Sequence, residues 1–192
     1  MSRRERLVLA DLVPGERVRD LALVVGAAAL VGLLAQVSIK LSFTPVPITG
    51  QTLGVLLAGT ALGWRRAAGA LALYAGLGVA GLPWFAHHGS GWGGASFGYI
   101  VGFVLAAGAC GFLAERGGDR KVWRALPTML VGEVLIYAVG LTWLSLSLHA
   151  GPAKTISLGL TPFLAGDAIK AGIAAGLLPL AWRLTGGGVR RR

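Results

Sequence analysis

Long apolar runs dominate this sequence and leave few options for its fold. Six of them recur, at about residues 20–39, 50–63, 67–83, 96–114, 125–148 and 162–182. A helix of roughly 20 apolar residues crosses the hydrocarbon core of a bilayer, and most of these runs approach that length. Hydrophobic residues make up 55% of the chain and charged residues only 14%, unlike a soluble domain. The sequence therefore predicts an all-α integral membrane protein with six transmembrane helices.

The basic residues predict how these helices are oriented. Of the 18 Lys and Arg residues, 15 precede the first run, follow the last, or lie between runs 2 and 3 or runs 4 and 5. All of these segments lie on one side if every run crosses the membrane. Because cytoplasmic loops have the excess of Lys and Arg, both termini are expected in the cytoplasm. The net charge of +10 is distributed between apolar runs, which argues against a nucleic-acid binder.

One membrane domain accounts for the whole chain of 192 residues. It comprises a basic N-terminal segment (1–19), the six-helix bundle (20–184) and a basic tail (185–192). The second run is short, because its 14 residues reach only about 21 Å as a helix. The preceding stretch FTPVPITGQT contains two prolines and is not expected to be helical. Either this stretch lines a cavity at membrane depth, or the second helix is a short tilted neighbour of an ordinary exterior loop.

Three ionisable residues lie inside the apolar runs: Glu133 in the fifth, and Asp167 and Lys170 in the sixth. Charges at membrane depth are costly and indicate a functional site. Thr161 and Pro162 predict the start of the last helix as N-cap and first helical residue. Asp167 and Lys170 then share one helix face near the exterior. They form either a self-neutralising ion pair or a site for a polar ligand, with Lys170 as donor and Asp167 as acceptor.

An exterior segment, GLPWFAHHGSGWGGASFGY, is rich in glycine and aromatic residues. Trp92 and Tyr99 in this segment belong either to an apolar lid over a ligand or to an aromatic belt at the membrane surface. Its GASFG stretch matches the G-x-S-x-G motif of serine hydrolases, with Ser96 as the nucleophile. That motif needs a strand, a turn, a helix and an oriented histidine base, whereas the histidines lie in or beside exterior loops. No catalytic residue and no metal site are therefore expected.

Four stretches together resemble one known family. In chain order they are TGQTLGVLLAGTALGWRRAAGALALYAGLGVAGLPWFA, SFGYIVGFVLAAGACGFLAER, GEVLIYAVGLTWL and TPFLAGDAIKAGIAA. They resemble the biotin-specific substrate-binding (S) component of energy-coupling factor (ECF) transporters, the BioY family, over about residues 20–184. The resemblance implies a six-helix S-component fold. It also implies an exterior-facing biotin pocket under the first loop and the loop between helices 3 and 4.

The resemblance implies partners as well. These are a transmembrane scaffold (T) component and two ABC-type ATPase subunits, in the cytoplasmic (inner) membrane of a bacterium. The chain itself has no G-x-x-x-x-G-K-[ST] phosphate loop. Family members meet the scaffold through an Ala-x-x-x-Ala face on helix 1, for which the nearest match here is Ala28-x-x-x-Gly32. A further departure is ASFGY at 95–99, where many relatives have Pro-Thr-Gly-Gly-Tyr.

Biotin would be the transported substrate, and no cofactor is expected. Its carboxylate, ureido ring and apolar body require a cation, an acceptor, a donor and apolar walls. We expect Asp167 to accept the ureido N–H groups, and Lys170 to contact either the carboxylate or the ureido carbonyl. The candidate biotin-binding residues are Asp167, Lys170, Gln51, Ser96, Tyr99, Tyr137, Trp92 and Glu133.

Three other hypotheses remain open. The same fold could bind another small vitamin. The chain could instead be a stand-alone ion-coupled carrier for biotin or another small vitamin, with Glu133, Asp167 and Lys170 as a relay. The third hypothesis is a hydrolase built on Ser96.

Overall fold

The protein is a helical bundle with one small hairpin, described by a computed structural model for residues 7–12 and 17–185. Its helices are α1 (Arg17–Gln36), α2 (Gln51–Leu62), α3 (Trp64–Val79), α4 (Phe97–Ala114), α5 (Val122–Leu148), α6 (Pro152–Gly159) and α7 (Leu164–Leu184). Strands β1 (Ser38–Ile39) and β2 (Ile48–Thr49) pair antiparallel between α1 and α2. A 3-10 turn, Leu9–Leu12, precedes α1, and a second, Ala86–His88, lies between α3 and α4.

Six of these helices follow the predicted apolar runs. With 20, 18, 27 and 21 residues, α1, α4, α5 and α7 are long and apolar enough to cross a membrane. The other two, α2 and α3, have 12 and 16 residues. In residues 7–12 and 17–185 the only strands are therefore those of the hairpin, and several of the helices are of spanning length. The count of six spans and the cytoplasmic position of both termini remain predictions, and residues 1–6 and 186–192 lie outside the described residues.

The shortness of α2 brings its first residues into the interior of the protein. At one end, Gly63 adopts a φ of 81° and makes a tight turn into α3. At the other end, α2 begins at Gln51, so its 12 residues extend only about 18 Å. As predicted, the preceding stretch with its two prolines is not helical, and the hairpin of β1 and β2 occupies this part of the chain. The side chains at the start of α2 therefore lie below the end of the bundle.

The start of the last helix was predicted wrongly. The residues before it form α6, which was not predicted, and the chain then passes through turns to Leu164. Thr161 is hydrogen-bonded to the preceding helix, since both its backbone N–H (3.1 Å) and its hydroxyl (3.3 Å) donate to the carbonyl of Ile156 in α6. Thr161 therefore closes the end of α6 and does not cap α7.

Close packing around α4 holds the bundle together. This helix contacts α2, α3 and α5. A Cβ at Gly102 would lie 2.9 Å from the Cα of Ile136 on α5, and a Cβ at Gly59 would lie 3.0 Å from the carbonyl oxygen of Ala107. Glycine at these two positions lets helix backbones approach closely, as is common between membrane helices.

Candidate ligand-binding site

A cavity of about 250 Å³ opens at the end of the bundle where α2, α4 and α7 begin and α5 ends. The α1–α2 and α3–α4 connections complete its walls. Such a volume suits one small molecule. Six of the predicted ligand-binding residues line it: Gln51, Ser96, Tyr99, Tyr137, Asp167 and Lys170.

Asp167 and Lys170 form an ion pair in the cavity wall. The Nζ of Lys170 lies 2.8 Å from Oδ1 of Asp167, and the two side chains are only 17% and 9% exposed. Thr52 bridges them, since its hydroxyl accepts a bond from Lys170 (3.0 Å) and donates one to Oδ1 of Asp167 (3.1 Å). Tyr137 donates its hydroxyl proton to Oδ2 of Asp167. Three donors from three helices thus converge on one carboxylate, which offsets the cost of burying it.

This cluster is neutral overall, which decides what it can recognise. Asp167 and Lys170 cancel each other's charge, so the pair does not attract an anion by net charge. A lysine ammonium has three N–H donors, and Lys170 uses two of them on Asp167 and Thr52. A donor and an acceptor side by side in a ligand would match the carboxylate and the remaining N–H.

Gln51 belongs to a second network behind the cavity wall. Its amide Nε2 donates to the hydroxyl of Tyr74 (2.8 Å), and that hydroxyl donates to the carbonyl of Trp84 (3.3 Å). The indole of Trp84 donates back to the carbonyl of Tyr74 (3.0 Å), and the ring of Phe85 packs edge-on against Tyr74. Phe85 also lines the cavity. Gln51 therefore connects α2 to the α3–α4 connection that forms the aromatic wall.

Gln36 at the end of α1 fastens the same connection. Its Nε2 donates to the carbonyls of Trp84 (3.1 Å) and Phe85 (3.2 Å), and its Oε1 accepts the backbone N–H of His88 (3.3 Å). Neither Gln36 nor Thr52 was among the predicted residues. Both stand at the end of an apolar helix, which is the one signal that could have identified them.

Tyr99 contributes a wall rather than a free hydroxyl. Its ring lines the cavity, whereas its hydroxyl donates to the carbonyl of Gly159 at the end of α6 (2.8 Å). Thr44 in the α1–α2 connection also donates to α6, at the carbonyl of Leu158 (2.7 Å). The short helix α6 thus ties two cavity walls together.

Two of the predicted ligand-binding residues lie away from the cavity. Trp92 is 64% exposed and does not line it. Glu133 is buried on α5, one turn below Tyr137, and also lies outside the lining. Within the described residues, neither carboxyl oxygen of Glu133 has a hydrogen-bond partner. The structure therefore brings together six of the eight residues and leaves these two apart.

Ser96 lies in the cavity wall at the N-cap of α4. Within the described residues no strand leads into this helix, so the strand–turn–helix context of the hydrolase motif is lacking here. Across that same part of the chain, no three His, Cys, Asp or Glu side chains are grouped to hold a metal ion. Ser96 therefore contributes to the cavity wall, and its hydroxyl makes no capping bond to α4.

The two residues predicted for partner docking face the inside of the bundle. Ala28 is 1% exposed, and a Cβ at Gly32 would lie 3.0 Å from the ring of Trp84. This contradicts the prediction that the pair forms an accessible face on α1, because Ala28 is buried and Trp84 packs on Gly32. The exposed side of α1 instead has its own small-residue pair, Ala22 and Gly26, and no atom lies within 4 Å of a Cβ at Gly26.

The chain is similar to proteins of one known family. The model of the BioY family matches residues 4–187. A protein from Rhizobium etli named biotin transporter BioY is 38% identical over 173 residues, covering 82% of this chain and 89% of that protein. Another of the same name from Thermotoga maritima is 38% identical over 150 residues, covering 77% of this chain and 86% of its own.

A solved structure has the same fold. It is a crystal structure described as the S-component for biotin from an ECF-type ABC transporter. The two chains superpose with a TM-score of 0.77 at 24% sequence identity, over 86% of this chain and 92% of that one. The arrangement of helices around the cavity is therefore that of an S-component.

Proposed function

This chain belongs to the BioY family, and on that premise we propose that it is the biotin-binding membrane subunit of an uptake system. It captures biotin outside the cytoplasm and delivers it inward when an ATP-driven partner module reorients it. The observation that supports this most directly is the cavity with Asp167, Lys170 and Thr52 in its wall. The relatives named biotin transporters support the same substrate.

The neutral cluster favours the ureido ring of biotin over its carboxylate as the group bound there. A ureido ring presents an N–H donor next to a carbonyl acceptor. Asp167 would accept the N–H, and the third proton of Lys170 would bind the carbonyl, without leaving either charge uncompensated. Phe85, Tyr99 and Phe163 in the lining supply apolar surface for the thiophane ring and the side chain.

The proposed orientation has the cavity facing outward and both termini in the cytoplasm. The segments with most of the Lys and Arg residues join or follow helices at the opposite end from the cavity, as the positive-inside rule requires. The whole chain, 1–192, then acts as one membrane domain. The bacterial cytoplasmic membrane is its proposed location.

An S-component needs an energy-coupling module, which we propose to be a transmembrane T component with two ABC-type ATPase subunits. The fold match to an S-component of an ECF-type transporter supports this. We place the contact with the scaffold on the exposed face of α1 around Ala22 and Gly26, since Ala28 and Gly32 are covered. Gly26→Trp should then prevent co-purification with the scaffold while biotin still binds.

Equilibrium binding of biotin to the purified protein in detergent tests the function. Calorimetric titration should show saturable binding of one biotin. The isosteric variants Lys170→Met and Asp167→Asn should each weaken it at least about tenfold, because each removes a charged partner from a hydrogen-bonded pair. Lys154→Met on the exposed surface of α6 is the matched control and should bind as the unchanged protein does.

Two results would overturn parts of this proposal. Full biotin affinity in the Asp167→Asn, Lys170→Met double variant would show that these two residues do not bind biotin. Competition of labelled biotin by an unrelated vitamin, but not by dethiobiotin, would change the substrate while keeping the fold.

A second candidate function is favoured by the carboxyl of Glu133, which has no hydrogen-bond partner among the described residues. A buried carboxyl group without a hydrogen-bond partner is most stable when protonated, as expected of a proton-carrying group in an ion-coupled carrier. Such a carrier would take up biotin into liposomes without any ATPase, driven by a proton gradient. Uptake that Glu133→Gln leaves unchanged would eliminate this candidate.

A further inference from the structure

A crevice at the basic end of the bundle lies between the start of α5 and the last turns of α7. It is separate from the biotin cavity, with which it shares no lining residue. Its lining includes Arg120, Lys121, Trp123, Gly176, Leu180 and Arg183. The lining thus combines three basic residues with apolar residues from α5 and α7.

Three cations converge on the crevice. Lys121 and Arg183 are exposed, and Arg120 is half-buried. The guanidinium of Arg120 lies 4.4 Å from the ring centre of Trp182 and donates to the carbonyl of Leu7 (3.0 Å), so its position is fixed. Among the described residues, no carboxylate lies within salt-bridge distance of any of the three cations.

The nearest carboxyl group in the sequence, Asp119, does not remove this positive charge. It is fully buried, and its Oδ2 accepts a bond from the indole of Trp182 (2.6 Å). Burial raises the pKa of Asp119, which favours its neutral form. Even if it is ionised, one carboxylate against three cations leaves a positive charge at the mouth of the crevice.

An apolar wall continues from the cations toward the middle of the bundle. Trp123, in the first turn of α5 beside the cations, is 62% exposed, and Leu180 on α7 is 48% exposed. Apart from the backbone of its own helix, no atom of the described residues lies within 4 Å of a Cβ at Gly176, so the surface of α7 is open there. Gly176 lies seven residues before Arg183, which corresponds to about 10 Å along the helix. An elongated apolar group that starts at the cations would therefore have room along this wall.

We propose that this crevice binds an anionic phospholipid, with the phosphate at Lys121 and Arg183 and an acyl chain along Gly176 and Leu180. Basic pockets between membrane helices at the headgroup level suit such lipids. The positive-inside rule alone would explain basic residues at this end of the bundle, but it requires neither a crevice nor an apolar wall beside them. A soluble phosphate would use the cations alone, so a lining of both basic and apolar residues favours a lipid.

Native mass spectrometry of the full chain in detergent tests the proposal. The protein is titrated with dioleoylphosphatidylglycerol and, in parallel, with dioleoylphosphatidylcholine. The anionic lipid should bind more tightly, and Lys121→Gln with Arg183→Gln should weaken its binding about tenfold or more, since each cation near a lipid surface contributes appreciably. Binding of the neutral lipid should not change, and inorganic phosphate should not displace the anionic lipid.

A matched double variant distinguishes lipid binding in the crevice from general attraction of the lipid to the positive charge at this end of the bundle. Arg65 in the first turn of α3 and Arg116 just after α4 are exposed at the same end and stack on Trp64 and Phe112, but they do not line the crevice. Arg65→Gln with Arg116→Gln removes the same charge and should leave the lipid affinity close to that of the unchanged protein. Equal losses in the two double variants, or no preference for the anionic lipid, would overturn the proposal.

The apolar wall is tested without any change in charge. Gly176→Leu fills the crevice and should weaken binding of phosphatidylglycerol. Gly69→Leu on α3 is the control, because Gly69 is also exposed with no atom within 4 Å of a Cβ. If Gly176→Leu binds the lipid as tightly as Gly69→Leu does, the acyl chain does not lie on this wall and the proposal fails.

Discussion

The two ends of the bundle use charged residues in different ways. At the cavity, Asp167 and Lys170 are enclosed and lie 2.8 Å apart. At the opposite end, Lys121 and Arg183 are exposed and have no carboxylate within salt-bridge distance among the described residues. Removing one charge from an enclosed pair leaves the other uncompensated, whereas an exposed charge is screened. The difference indicates that a cavity charge acts through one defined partner, and that the basic end acts through several charges together.

The largest effect is expected from a substitution that breaks the ion pair of Asp167 and Lys170. Lys170→Met should lower the free energy of unfolding in detergent by about 3 kcal/mol, because Asp167 loses its cation while buried. Denaturant unfolding followed by circular dichroism measures this. The double variant with Asp167→Asn should recover part of the loss, since no charge is then left alone. If the double variant is as unstable as Lys170→Met alone, the two side chains are not coupled. The control Lys154→Met should leave the free energy of unfolding unchanged.

The second prediction concerns Asp119, a buried carboxyl group at the basic end. Trp182→Phe removes the N–H that donates to its Oδ2 and should cost about 2 kcal/mol of stability at neutral pH. Burial raises the pKa of Asp119, so the folded state favours the neutral form, and stability from this group is lost as pH rises above its unfolded value of about 3.9.

Because the pKa of Asp119 is raised in the folded state, the stability of the Trp182→Phe variant should depend on pH. Losing the indole donor raises the pKa of Asp119 further, because that bond favours the charged form. The deficit of Trp182→Phe relative to the unchanged protein should therefore be small at about pH 3, below the unfolded pKa of about 3.9, and grow toward neutral pH. Unfolding measured at both pH values checks this. An equal deficit at both would mean that packing of the ring, and not the carboxylate, explains the loss.

The third prediction tests the shape of the cavity without touching its charges. A Cβ at Gly78 on α3 would collide with the ring of Phe85, whereas no atom lies within 4 Å of a Cβ at Gly76. Gly78→Ala should displace the Phe85 ring from the cavity wall and weaken biotin binding about tenfold, as overpacking strain of this kind costs about 1–3 kcal/mol. Calorimetric titration of Gly76→Ala is the control. Equal affinities would show that the aromatic wall tolerates this movement.

The sequence predicted the charged pair and its surroundings better than it predicted the loops. Asp167 and Lys170 stood out because charges are rare inside apolar runs, and their spacing of three placed them on one helix face. The fold class and the positions of six helices followed from hydrophobic length alone. Thr52 was missed because a threonine in an apolar run costs little and signals nothing by itself.

The predictions were wrong where a local sequence pattern is compatible with two different structures. The Thr161–Pro162 pair resembles a helix start, but Thr161 bonds to the end of α6, a helix too short to give a clear periodic pattern. Ala28 and Gly32 were chosen by spacing, and spacing alone does not reveal that Ala28 is buried or that Trp84 from a distant loop packs on Gly32. Long-range contacts decide such cases, and one sequence does not contain them.

The smallest predicted effect tests whether the hydroxyl of Thr52 contributes to recognition beyond the charges it joins. Thr52→Val keeps the shape of the side chain but removes the bonds to Lys170 (3.0 Å) and Asp167 (3.1 Å). Loss of a neutral partner to charged groups should weaken biotin binding about fivefold, near 1 kcal/mol. Thr52→Ser retains the hydroxyl and should bind nearly as the unchanged protein does. If Thr52→Val binds biotin as tightly as the unchanged protein does and only Thr52→Ser loses affinity, the methyl group and not the hydroxyl matters, and the charged pair does not depend on this bridge.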